Sequence, residues 1–244
     1  MSSFIDTHVH IDFYDNPKEF IDEYEKLKIL AIFVTNLPQI FNKHYYIYNN
    51  FKNIRLAIGY HPTLIDEYDF DKKEFLQGIK RTNYIGEVGL DFSNFSERHQ
   101  EKQKEIFNFI CNIAAKERKI MTIHSRKAEK EVLEILDINK VEFAIFHWYS
   151  GNFNLINEII NRDYYFSVNY SMLKSKRGKE ILLRIPLNRI LMESDGPFTK
   201  YENQIFSPQN LENIYNEFNR FYEINNFKDL VFENFKRLLF SRKG

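Results

Sequence analysis

Eight short apolar runs, each rich in Ile, Val, Phe or Tyr, alternate with longer stretches of helical spacing along a chain of 244 residues. The runs are Phe4–His8, Ala31–Thr35, Arg55–Gly59, Tyr84–Val88, Ile120–His124, Phe143–His147, Tyr165–Asn169 and Ile190–Glu193. Several are continuously apolar, which suits strands of a parallel sheet buried on both faces. Between them, Glu101–Glu117 carries Ile106, Phe107, Ile110 and Ala114 on one helical face, and Lys127–Asp137 carries Val132, Ile135 and Leu136. Pro208, after Ser207 as a cap, marks a helix start, and Phe227–Phe240 reads as an amphipathic terminal helix. Eight strands alternating with helices at this length predict an α/β fold, a (β/α)₈ TIM barrel spanning 1–244 as one domain. A doubly wound open sheet is the rival architecture.

Composition narrows the function classes. Hydrophobic residues make up 43% and charged residues 28%, enough apolar surface to bury a core. Lys+Arg and Asp+Glu both number 34, which argues against a strongly basic nucleic-acid coat protein but not against an enzyme with a local basic patch. One cysteine, Cys111, excludes an internal disulfide and a cysteine-based zinc finger, and it fits a reducing compartment. The apolar run Ile29–Val34 is six residues long, against about 18 needed to span a membrane. The first residues lack the basic start and apolar stretch of a signal peptide, so a cytoplasmic location is expected.

The chemistry lies at the strand ends. Five of the seven histidines, His8, His10, His61, His124 and His147, sit at or just after the end of a predicted strand. Glu87 lies near the end of the fourth strand and Asp195 just beyond the eighth. In a barrel all these positions converge on the C-terminal face, where such folds build their sites. His8 and His10, two residues apart, point the same way and make a half-site for a divalent cation. Glu87, between Gly86 and Gly89, is a buried carboxylate that needs a cation or a salt bridge. His124 and His147 each end an apolar strand, either as core histidines or as ligands, and their recurrence at the same end favours ligands. Asp195 adds a carboxylate able both to ligate and to take a proton from coordinated water. Asp91 is read as an anchor for the loop after Glu87 or a hydrogen-bond partner of a ligand histidine.

Around this set, Arg126 is either a surface residue at a helix start or a bidentate phosphate binder. Lys174, Lys176, Arg177 and Lys179 follow the seventh strand, where barrels often bind phosphate, though a solvated helix face gives the same pattern. Trp148 is read as a stacking or rim-packing residue. His44 and His99 are read as surface residues, and Cys111 as core packing.

The ordered set Asp6-Thr-His-Val-His10, Gly59-Tyr-His-Pro62, Gly86-Glu-Val-Gly-Leu-Asp91, Ile123-His-Ser-Arg126, His147-Trp-Tyr-Ser-Gly151 and Glu193-Ser-Asp-Gly-Pro197 resembles the TatD family of metal-dependent nucleases, within the amidohydrolase-like barrels. The resemblance implies two divalent cations (Zn²⁺, Mn²⁺ or Mg²⁺). His8, His10 and Asp195 would hold one, His124 and His147 the other, and Glu87 would bridge them. It further implies hydrolysis of DNA phosphodiester bonds by water activated on the cations. Asp195 would be the base, His61 and Arg126 would lie at the substrate phosphate, and Glu193 would support the site. The substrate is expected to be single-stranded DNA or a DNA end.

Trp148-Tyr149 and Ser194-Asp-Gly-Pro depart from the usual family pattern. With Phe166-Ser-Val, Met172-Leu and Phe198, they resemble the TatD-like nucleases of the Qat anti-phage defence system, which implies the other Qat components as partners. Two alternatives stand beside this reading. One is a different hydrolase on the same barrel, a lactonase, amidase or phosphoesterase, which would share the ligands without needing Arg126. The other is a non-catalytic subunit that binds metal structurally.

Overall fold

The computed structural model describes residues 2–48 and 50–243. Its strands are β1 (Ile5–Val9), β2 (Leu30–Val34), β3 (Ile54–Ala57), β4 (Tyr84–Asp91), β5 (Ile120–Arg126), β6 (Ala144–His147), β7 (Tyr165–Val168) and β8 (Ile190–Met192). The helices are α1 (Pro17–Leu27), α2 (Pro38–Tyr48), α3 (Lys72–Gly78), α4 (Glu97–Lys116), α5 (Glu129–Asn139), α6 (Phe153–Asn161), α7 (Tyr170–Lys174), α8 (Lys176–Leu182), α9 (Leu211–Tyr222) and α10 (Phe227–Lys243). A small hairpin, β9 (Lys200–Tyr201) with β10 (Gln204–Ile205), was not anticipated from the sequence.

The eight main strands are parallel and lie in chain order, β1 to β3 in one ladder and β4 to β8 in another. A bridge between Ile58 and Ile85 joins the two ladders on one side. On the other side the seam is closed by loop hydrogen bonds. Asp195 donates its N–H to the His8 carbonyl (2.9 Å) and His10 donates to the Gly196 carbonyl (2.9 Å). The result is an α/β barrel of the TIM type, as expected.

Burial explains why these runs became strands. Nearly every residue of β1, β2 and β4 to β8 is buried, which requires apolar side chains on both faces. The helices cover the outside with one face each: Phe107, Ile110, Cys111 and Ala114 from α4, Val132 and Leu136 from α5, Val231 and Leu238 from α10. Helix starts are fixed by local chemistry. Asn16, Asp71 and Asn152 accept from backbone N–H groups of α1, α3 and α6 at 2.9–3.3 Å, worth about 1 kcal/mol each. Pro208 opens a single 3₁₀ turn, and the α9 helix proper begins at Leu211. Among the described residues, no helix is long and apolar enough to cross a membrane.

Candidate metal centre

The strands deliver their last polar residues to one end of the barrel. There, His8, His10, His61, Glu87, His124, His147 and Asp195 are brought together around the Glu87 carboxylate. Its two oxygens face different partners. Oε2 lies 3.4 Å from His8 Nε2 and 3.3 Å from His10 Nε2. Oε1 lies 2.7 Å from His124 Nδ1, 3.2 Å from His147 Nε2 and 3.3 Å from His61 Nε2. Asp195 Oδ1 completes the first side, 3.7 Å from His8 Nε2 and 3.5 Å from His10 Nε2.

These distances make three groups able to hold a cation: His8 with His10 and Asp195, His8 with Glu87 and His147, and His61 with Glu87 and His124. The donor set is imidazole nitrogen and carboxylate oxygen throughout, the set that divalent transition metals prefer. The Nε2 atoms of His8 and His10 stand only 3.0 Å apart in a buried pocket, converging on one point as ligands of a shared ion do. The residues present therefore fit divalent cations.

Surrounding groups hold the histidines in place. His147 Nδ1 lies 3.3 Å from Glu193 Oε2, and His124 Nε2 lies 2.9 Å from Asp91 Oδ2. Glu193, fully buried, also accepts from Asn169 Nδ2 (2.9 Å), the Trp148 N–H (3.1 Å) and the Ser167 hydroxyl. Asp6 joins three elements beneath His8, accepting from the Tyr24 hydroxyl (2.6 Å) and the N–H groups of Ser194 (2.8 Å) and His8 (3.3 Å). Burial pushes the Asp6 carboxyl up to about 6 despite those bonds. At Gly89 the backbone has φ +143°, and a Cβ there would stand 1.9 Å from the His124 carbonyl oxygen. Glycine is thus required where β4 passes β5.

The electrostatics of the cluster are those of a carboxylate among imidazoles. Burial alone would raise the Glu87 carboxyl. The charges of His61 and His147, with hydrogen bonds from His10 and His124, outweigh it and hold the group well below the usual carboxylate range. Burial disfavours charge on His147 and His10, but Glu193 and Glu87 hold His147 well above the usual imidazole value. Asp195 and Glu87 push His10 up to about 9. His8 and His61 are lowered, chiefly by burial.

The cluster floors a cavity of about 740 Å³ whose walls include Arg126, Trp148, Asn36, Phe13 and Phe198. Arg126 is exposed, and among the described residues its guanidinium has no hydrogen-bond or ion-pair partner. Lys174 does not line this cavity. Its ammonium sits 4.4 Å from the Tyr170 ring centre and 4.0 Å from Glu217. Arg177 donates to the carbonyls of Ser150 (3.0 Å) and Gly151 (2.5 Å), bracing the loop after β6. Trp148 stands in that loop at φ +36°, an unusual conformation for a bulky residue. His99 pairs with Asp66 (3.1 Å) away from the cluster. A second cavity of about 630 Å³ opens at the opposite end of the strands, where Arg162 is paired with Asp137 (2.6 Å) and Arg189 with Asp163.

Sequence reasoning did not single out Asn36, Phe13 or Phe198 as lining residues. A signal existed for Asn36, a polar residue directly after the second apolar run, much as His61 lies two residues after the third. For the two phenylalanines no pattern separates a rim position from a core position.

Comparison with known proteins places this architecture. The family model described as "TatD related DNase" matches residues 5–240. An uncharacterized metal-dependent hydrolase of Methanocaldococcus jannaschii is 26% identical over 258 residues, covering 97% of this chain and 98% of that protein. Human deoxyribonuclease TATDN3 is 24% identical, covering 82% of this chain and 80% of the human protein. The crystal structure of YJJV, a TatD homolog from Escherichia coli K12, superposes with a TM-score of 0.83 at 18% identity, over 96% of this chain and 97% of that one.

Proposed function

The chain belongs to the TatD-related DNase family and is a metal-dependent hydrolase; from that premise we propose that it cleaves DNA phosphodiester bonds, in single strands or at an end, using two divalent cations. The observation that carries this reading is the division of Glu87, whose two oxygens face different imidazoles. His8, His10 and Asp195 would hold one ion on the Oε2 side. His124 and His147 would hold the other on the Oε1 side, with Glu87 bridging. His61 Nε2 reaches the same Oε1 oxygen, so this residue would adjoin the second ion and could contact the substrate phosphate. The imidazole-rich donor set leans towards Zn²⁺ or Mn²⁺, and the carboxylates also accept Mg²⁺.

When bound, the cations supply an activated water and a clamp on the attacking and leaving oxygens. The chain's own groups do the rest. Asp195, buried but lining the cavity, would accept the proton of the attacking water. Arg126 orients the phosphate from the cavity wall. Glu193 and Asp91 keep His147 and His124 aimed inward. Lys174, outside the cavity, is available to backbone phosphates further along the strand. The human relative's name, deoxyribonuclease, supports DNA as the polymer. A place beside the other Qat components in anti-phage defence rests on the motifs around Trp148 and Phe198.

The test is cleavage of end-labelled single-stranded DNA in Mg²⁺, Mn²⁺ or Zn²⁺, with EDTA and the Asp195→Asn variant as controls. Metal-dependent cleavage, abolished by EDTA and lost in the variant, is expected. Absence of cleavage in protein shown to hold two ions would overturn the nuclease assignment. A small phosphoester or amide would then become the substrate to pursue.

A further inference from the structure

We propose that Phe13 and Phe198 form a stacking platform for an unpaired nucleobase beside the scissile phosphate, so that the centre selects nucleic acid whose bases are free of a duplex. The inference rests on the nuclease reading and deepens it.

The pair is placed and held for such a role. Phe13 is 50% exposed and Phe198 is 55% exposed, whereas Phe33, Phe41, Phe75 and Phe107 are buried. Their ring centres lie 5.2 Å apart, tilted by 61°, and stand 5.8 and 5.1 Å from the His10 ring. Each hangs one turn from a candidate ligand. The Phe13 N–H donates to the His10 carbonyl (3.3 Å), and the Phe198 N–H donates to the Asp195 carbonyl (2.9 Å). The two loops are also braced together. Tyr14 stacks on Phe20 at 3.8 Å and donates its hydroxyl to the Phe206 carbonyl (3.0 Å), while the Phe206 N–H reaches the Thr199 carbonyl (3.4 Å). The rings are therefore fixed relative to the metal cluster.

An apolar pair at a polar mouth contributes little to the core, and such patches mark ligand contacts. The rest of the cavity defines the ligand. Arg126 offers across the same cavity a guanidinium with no partner among the described residues, and cations held by the cluster would attract an anion. Asn36 lines the cavity, and its buried Oδ1 has no hydrogen-bond partner among the described residues, so its amide is free to reorient towards the polar edge of a ligand. A flat ring with a polar rim attached to a phosphate satisfies all of these. A base inside a duplex is already stacked on both faces and has none to offer, so the platform favours single strands and frayed ends. Stacking of this kind tolerates any base.

The experiment compares two end-labelled single strands that differ only at the nucleotide next to the scissile bond, one carrying a base and one abasic. Cleavage is measured with Mn²⁺ by the unaltered protein and by Phe13→Ala, Phe198→Ala and Phe198→Trp. Binding to the Asp195→Asn protein, which does not cleave, is read by quenching of Trp148, the chain's one tryptophan. The intact base should bind and react about five- to hundredfold better than the abasic strand. That ratio should fall towards one in the alanine variants and persist in Phe198→Trp. Equal handling of both strands by the unaltered protein, or an unchanged ratio in the alanine variants, would overturn the platform and leave the nuclease reading intact. Failure of both strands to bind or react would overturn the nuclease reading, and the platform with it.

Discussion

His147 stands between two carboxylates, its Nε2 3.2 Å from Glu87 and its Nδ1 3.3 Å from Glu193. The Glu193 charge fixes which nitrogen of the ring faces the cluster and raises its basicity as a ligand. Glu193→Gln keeps the size and an acceptor oxygen for the Trp148 N–H but removes the charge. Metal affinity should fall about 10- to 100-fold with the fold intact, as read from metal content after graded chelation. Undiminished affinity would show that Glu193 serves only the loop.

Arg126 tests a different property. Its guanidinium touches no described partner, so Arg126→Gln should leave both thermal stability and metal content unchanged. Loss of a charge-assisted contact to phosphate should raise KM for DNA about 10- to 100-fold. A KM within twofold of the original would remove Arg126 from the substrate site.

The metal-free protein should be pH-sensitive in a defined direction. His10 is pushed up to about 9 in the fold, above its usual 6.5. A raised value means that the folded state holds the proton more tightly, so this stabilisation is complete below pH 6.5 and is lost as pH climbs through about 9. His147 and His124 are shifted the same way, whereas His8 and His61 are lowered. The Tm in EDTA should therefore drop between pH 6.5 and 9. Added Mn²⁺ should reverse the trend, because a cation takes the place of the protons and binds better as they leave. Saturation at 100 times Kd adds about 2.7 kcal/mol. A flat Tm profile in EDTA would contradict the charge state described for the cluster.

Gly89→Ala should be among the most damaging single changes outside the ligands. A Cβ would strike the His124 carbonyl at 1.9 Å with φ at +143°, so about 3 kcal/mol of destabilisation is expected, measured by urea unfolding. Metal affinity should fall too, because the shift displaces His124.

Much of this architecture was legible because burial on both faces demands unbroken apolar runs. All eight expected strands form, most within one or two residues of their expected ends. The exceptions are instructive. β4 was expected to stop at Val88, yet Gly89 carries it on to Asp91 in a backbone other residues avoid. The helix expected to begin at Glu101 starts at Glu97, capped by Ser96, since its first turn is polar and shows no apolar face. At the site, strand-end position was enough to gather the histidines and acids. It could not tell that His61 reaches the Glu87 oxygen, which depends on how the loop after β3 folds back. Nor could it place Lys174, whose helix turns its ammonium towards Tyr170 and Glu217.

The barrel closes where Asp195 bonds to the His8 carbonyl and His10 to that of Gly196, so the seam and the metal centre are one place. The first and last strands meet there across nearly the whole length of the polypeptide. A nascent chain leaving the ribosome therefore carries its histidine pair early and gains Glu87 with the fourth strand, but it lacks Asp195 until the eighth strand has emerged. The cluster is in this sense a record that the last barrel strand has been made. A fragment ending before residue 195 keeps most of the clustered residues and lacks both Asp195 and the hydrogen bonds that set the first two histidines.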